Sequence, residues 1–185
     1  MRKVLVIGSG GSGKSTFSRS LGTLLGLEVI HLDSLYWSAG WVEMPKPDWR
    51  KTVEGLLNRT GWIIDGNYSG TLEMRIEACD TVVFLDLSRL VCVWRLLKRA
   101  VLYRNQRRPD MAEGCPERLN LDFVKWVWGY RKRSRPKVVS LLEATSKQVI
   151  WLQSPTEVKR FLVAIRSTVN SAPDSPTGAV AIDQG

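Results

Sequence analysis

The chain has 185 residues, 44% apolar and 24% charged, and its 27 basic side chains against 18 acidic ones leave a formal charge of +9. That length holds one domain with a real core and is short for two. The composition excludes wholesale disorder, and no apolar run approaches the ~20 residues of a membrane span, so no membrane partner is expected.

Met1-Arg2-Lys3 followed by Val4–Ile7 opens like a secretory leader, but the run stops at Gly8, too short for an h-region. It reads as a first, buried parallel strand. A helix follows from Gly13 to Leu25, with Phe17, Leu21, Leu24 and Leu25 at helical spacing and Gly26 as its stop. Glu28–Leu32 reads as a second strand ending at Asp33. Pro47-Asp48 opens a helix that buries Trp49, Val53, Leu56 and Leu57. Trp62–Ile64 and Thr81–Leu85 are the third and fourth strands, ending at Asp65-Gly66 and at Asp86.

Leu90–Val101 is helical in pattern. Residues 103–121, with Pro109, Gly114 and Pro116, read as a mobile excursion. Leu121–Tyr130 and Pro136–Ala144 are helical, Gln148–Leu152 is a fifth strand, and Glu157–Val169 is a last helix. This alternation implies an α/β fold, a three-layer αβα sandwich around a five-stranded parallel sheet. The expected domain is residues 1–169, with a helical, arginine-rich lid at about 100–125, and residues 170–185 form a disordered tail. The cysteines Cys79, Cys92 and Cys115 show no CxxC pairing. With a single histidine, His31, an ordinary zinc site is not expected, and free thiols in a reducing cytoplasm are.

Gly8-Ser9-Gly10-Gly11-Ser12-Gly13-Lys14-Ser15, followed by Thr16, fits GxxxxGK[ST] at every fixed position, between a strand and a helix. Glycines let successive N–H groups turn inward around a phosphate, and the helix N-terminus adds a favourable dipole. Lys14 can reach the β- and γ-phosphates of ATP, and the Ser15 hydroxyl can hold Mg²⁺. These features define a P-loop NTPase.

Asp33, Asp65 and Asp86 each close an expected strand and so point into one crevice. Asp33 is the candidate for binding or deprotonating an acceptor hydroxyl, beside Asn67 and Tyr68. Asp65 and Asp86 are candidates for the metal or its water, with Asp65 also near the acceptor. Tyr36, Trp37 and Trp41 lie in a loop, open to either ligand contact or packing, whereas His31 reads as a hydrogen-bonded core residue.

Arg95 and Arg99 are four apart on one helix and can clamp a transferring phosphoryl group. Arg104, Arg107 and Arg108 follow, and Arg131, Arg133 and Arg135 lie beyond, with Arg131 and Arg135 as candidate substrate contacts. Arginines at both hinges of a flexible segment suit a lid. The same basic blocks, 95–108 and 125–137, leave open a nucleotide-regulated DNA-binding function, and the phosphate loop alone leaves open an NTP-hydrolysing switch.

With these residues in hand, the chain resembles the adenylate-kinase-like branch of P-loop kinases. More narrowly it is similar to the FlaR-like topology modulation family. The segments that carry this are Val29-Ile30-His31-Leu32-Asp33, Ile64-Asp65-Gly66-Asn67-Tyr68-Ser69-Gly70-Thr71, Arg108-Pro109-Asp110-Met111 and Gly114-Cys115-Pro116-Glu117-Arg118. The resemblance covers about residues 1–165 and implies a nucleotide-dependent kinase-like core under an arginine lid. Adenylate kinases carry Phe-Pro-Arg after the Asp-Gly turn. Here Asn67-Tyr68-Ser69 stands there and the next arginine is Arg75, so the resemblance does not carry AMP over as acceptor.

Overall fold

The computed structural model describes residues 1–104, 106, 110–117 and 119–171. In chain order the elements are β1 (Lys3–Gly8), α1 (Lys14–Leu25), β2 (Val29–His31), α2 (Leu32–Tyr36), β3 (Trp37–Ser38), β4 (Val42–Glu43), α3 (Lys46–Leu57), β5 (Trp62–Asp65), a 3-10 turn (Ser69–Thr71), α4 (Leu72–Ala78), β6 (Thr81–Leu85), α5 (Arg89–Leu102), α6 (Leu121–Arg133), α7 (Arg135–Ala144), β7 (Gln148–Leu152) and α8 (Pro155–Ser171).

β1, β5 and β6 are apolar runs because helices cover both of their faces. Five strands form one parallel sheet in the order β2-β5-β1-β6-β7. Side chains alternate along each strand, so β1 divides its residues between two cores. Leu5 and Ile7 join Trp49, Val53, Ile76 and Leu142 on the face covered by α3, α4 and α7. Val4 and Val6 join Phe17 and Leu21 of α1, with α8 alongside. A third cluster, Leu87, Cys92, Leu96 and Val127, holds α5 to α6.

Three expectations change. The second strand is shorter, and Asp33 sits in the first turn of α2 instead of closing a strand. The β3–β4 hairpin and α4 were not expected. The 103–121 excursion is not loose: among its described residues Asp110, Met111, Cys115 and Glu117 are buried. It is fastened to the hairpin, with the Gly40 N–H donating to Gly114 O (2.9 Å) and the Cys115 thiol to Ser38 O (3.2 Å). A Pro/Gly-rich composition marks the absence of regular elements, not the absence of packing. Arg107, Arg108 and Arg118 lie outside the described residues. Helix α8 runs through Ser171, so residues 170 and 171 of the expected tail are helical, and 172–185 lie outside the described residues.

Candidate active site

The phosphate loop links the carboxyl end of β1 to the start of α1. Its turn needs left-handed backbone at Gly11 (φ 74°) and Gly13 (φ 93°). At Gly11 a side chain would also drive into the Cys92 carbonyl of α5. The loop therefore exists in this shape only with glycine there. The Lys14 ammonium folds back over it, donating to Gly8 O (2.9 Å) and Ser9 O (3.0 Å). Burial lowers the Lys14 pKa, while the charges of Asp33 and Asp65 work in the opposite direction.

Two groups brace the loop. Asn67 Oδ1 accepts from the Gly8 N–H (3.1 Å), and Arg95 of α5 donates to Ser12 O (2.9 Å). Asn67 is itself held by Arg75, which is fully buried. The Arg75 guanidinium donates to Gly66 O, Asn67 O, Tyr68 O and Thr71 O over 2.8–3.2 Å. The turn after β5 is thus wrapped around one arginine.

A cavity of about 1010 Å³ opens on the loop. Phe17, Ser20, Val158 and Leu162 are among its lining residues, as are Asp33, Trp37, Trp41, Glu43, Asn67 and Tyr68. Gly10 through Thr16, Arg95, Arg99, Asp110 and Glu117 complete much of the wall. Asp33 Oδ1 accepts from the Tyr68 hydroxyl (2.7 Å), and burial with the Asp33 charge raises the Tyr68 pKa far above the usual phenol range. Arg99 Nε donates to the buried Glu117 carboxylate (3.0 Å). Trp37 and Trp41 meet edge to face at 5.5 Å.

The remaining candidates lie elsewhere. Tyr36 does not line the cavity; its ring packs against Trp37, Trp49 and Tyr68, and its hydroxyl donates to Glu43 (2.8 Å). Asp65 is buried and bonded to His31 Nδ1 (2.7 Å); it is not a wall residue, although its charge reaches Lys14. Burial opposes protonation of His31, but the Asp65 hydrogen bond and charge outweigh it and raise the histidine pKa. Asp86 is engaged by Arg135 through three contacts of 2.7–3.0 Å, fixing the start of α7 to the end of β6. Neither of these two residues lines the cavity, and the exposed Arg131 does not either. Of the two basic blocks, Arg95, Arg99 and Arg135 are therefore turned inward to protein partners.

Sequence reasoning missed Glu43, Asp110 and Glu117 in the wall and the role of Arg75. The signal for Asp110 and Glu117 is their place in the segments that carry the resemblance, and for Glu43 an acid set within an aromatic segment.

A nucleotide phosphate and its cation fit this donor set. The loop residues 10–16 line the cavity beside the Lys14 ammonium, and the buried Ser12 hydroxyl among them has no hydrogen-bond partner among the described residues. Among the described residues no group of three or more His, Cys, Asp and Glu gathers to hold a metal alone. A hard cation would thus take the Ser15 hydroxyl together with phosphate oxygens and water.

No protein-family profile and no curated protein matches the chain by sequence. Solved structures do match by shape. A gluconokinase from Sinorhizobium meliloti 1021 aligns with a TM-score of 0.53 at 14% identity, over 91% of this chain and 91% of its own. A shikimate kinase from Bacteroides thetaiotaomicron aligns with a TM-score of 0.53 at 16% identity, over 90% of this chain and 97% of its own. The chain has the α/β fold of the P-loop kinases, a five-stranded parallel sheet flanked by helices.

Proposed function

We propose that the protein is an ATP–Mg²⁺-dependent phosphotransferase of the cytoplasm, moving a γ-phosphoryl group to the hydroxyl of a small acceptor. One observation carries this reading: Lys14, Arg95, Arg99 and Asp33 line a single cavity whose floor is the phosphate loop. The loop N–H groups hold the phosphates. Bound Mg²⁺, taken by Ser15, supplies charge neutralisation on the phosphate oxygens. Lys14 exchanges its two carbonyl partners for phosphate oxygens, and Arg95 and Arg99 meet charge as it develops on the transferred group. At the acceptor end Asp33 takes a hydrogen bond from the acceptor hydroxyl, with Tyr68 fixing the carboxylate. The acceptor oxygen forms the new P–O bond, the bond to the β-phosphate oxygen breaks, and the acceptor proton passes toward Asp33.

Trp37 and Trp41 give the acceptor end flat apolar walls. Arg75 cannot stand in for the acceptor-binding arginine of adenylate kinases, because its donors already serve four backbone carbonyls. Within the P-loop kinases, the segments quoted above favour the FlaR-like group.

The test is ATP consumption with Mg²⁺ against a panel of nucleosides, nucleoside monophosphates and hydroxylated metabolites, with Lys14→Ala as blank. Acceleration by one compound, lost in the blank, supports the reading. ATP binding with no acceleration by any acceptor refutes it in favour of a switch.

A further inference from the structure

Helix α5 has two unlike faces. Its inner face buries Cys92 and Leu96 and sends Arg95 to the phosphate loop. Its outer face carries Leu90 (65% exposed), Trp94 (60%), Leu97 (43%) and Val101 (76%). Their 4-3-4 spacing places all four within an arc of about 60°, opposite the buried residues. Such a stripe is not scattered surface hydrophobicity but a continuous apolar ridge, and contiguous exposed ridges mark interaction surfaces.

The charges beside the ridge identify its partner. Arg89 lies along one margin and Lys98 along the other, and the 14 residues of α5 contain no acid. The Arg89 guanidinium sits 4.4 Å over the ring of Trp128, an exposed residue of α6, and Lys98 sits 5.2 Å from the Trp94 ring. A second copy pairing ridge to ridge would bring these cations together with no acid on α5 to meet them. Exposed tryptophans beside cations on an amphipathic helix instead match a headgroup boundary, where rings sit at the interface and long basic side chains reach lipid phosphates.

We propose that the outer face of α5, together with Trp128, rests on an anionic phospholipid surface. Leu90, Trp94, Leu97 and Val101 enter the acyl boundary, and Arg89 and Lys98 contact lipid phosphates. No described helix is long and apolar enough to cross a membrane, so the contact lies on the bilayer. The sequence expectation of no membrane partner rested on run length, which tests spanning and not surface contact. Docked this way, the chain keeps Arg95 and Arg99 on the far side of the helix, facing the cavity.

The experiment is co-sedimentation of the full chain with phosphatidylcholine vesicles, with and without phosphatidylglycerol. Two double variants accompany the wild type: Trp94→Ser with Leu97→Ser, which leaves charge unchanged, and Arg89→Glu with Lys98→Glu. All four side chains are on the surface, and thermal melting by circular dichroism checks that each variant is folded. The expected result is binding to phosphatidylglycerol vesicles only, weakened roughly tenfold or more in both variants. Wild-type binding that the serine variant retains would reflect the net charge of +9 alone and overturn the proposal. Absence of vesicle binding would overturn it as well, and a dimer abolished by the serine variant would then assign the ridge to a second copy.

Discussion

Replacing Arg75 by methionine sets two large terms against each other. Burial draws the guanidinium pKa down to about 10 even against the opposing charges of Tyr68, Cys79 and Asp65, a net electrostatic cost on the order of 3 kcal/mol that the variant no longer carries. Against this, four carbonyls lose a charged donor. Tyr68 O keeps the Thr71 N–H (3.1 Å) and the Thr71 hydroxyl (3.3 Å), so its loss is small. Gly66 O and Asn67 O lose bonds of 2.8 and 3.1 Å inside the fold, at about 1–3 kcal/mol each, and the Thr71 bond adds about 1 kcal/mol. The loss comes to about 5 kcal/mol, the recovery to about 3, and the net destabilisation to about 2 kcal/mol. Methionine fills most of the space of the arginine stem, so no large cavity adds to it.

For a chain of this length that net corresponds to a fall in Tm of roughly 4–8 °C. Circular dichroism melts at neutral pH read it directly. Arg75→Lys keeps a buried charge but cannot span four carbonyls, so it should fall at least as far as the methionine variant. ATP affinity should weaken in both, because Asn67 braces Gly8 from this turn. An unchanged or raised Tm in Arg75→Met would refute the argument, showing that the buried charge costs more than its bonds return.

Gly11→Ala should lose ATP affinity and about 1–3 kcal/mol of stability, since alanine must adopt φ 74° and drive into the Cys92 carbonyl; calorimetry with ATP and a melt check both. His31 is the only histidine, so its imidazole signals titrate alone in a proton NMR spectrum and should report a pKa above the usual ~6.5. A raised pKa in the folded state means the His31–Asp65 pair contributes fully below ~6.5 and is lost as pH rises through the folded value. Wild-type Tm should therefore fall over that window more than the Tm of His31→Gln. Arg99→Ala should lower turnover more than ATP affinity in steady-state kinetics, whereas equal losses would argue against a transition-state role.

The parts legible in the sequence are those whose cause is local. The phosphate loop is set by residues within one turn of chain, and β1, β5 and β6 announce themselves because both faces need apolar side chains. The hairpin was illegible because two residues per strand give no period, and its tip depends on Gly40 and on Trp41 at φ 66°. Helix α4 is seven residues long, too short for a face to repeat twice. The burial of Met111 and Cys115 is a tertiary fact laid over a loop composition.

Pairings were illegible for a different reason. Asp86 and Arg135 are 49 residues apart, and Asp65 and His31 are 34 apart. Asp65 and Asp86 each look like a free functional group until the fold supplies a partner, His31 across the β2–β5 register for one and Arg135 at the start of α7 for the other. This reverses how the basic blocks should be weighed. A cluster of arginines in sequence suggests one anionic surface, yet the fold turns Arg95 to the phosphate loop, Arg99 to Glu117 and Arg135 to Asp86. Arg89 and Lys98, by contrast, lie over exposed tryptophan rings. The same helix thus separates its cations by face, those inside organising a phosphate site and those outside bordering an apolar ridge, and only the 3.6-residue period distinguishes the two sets.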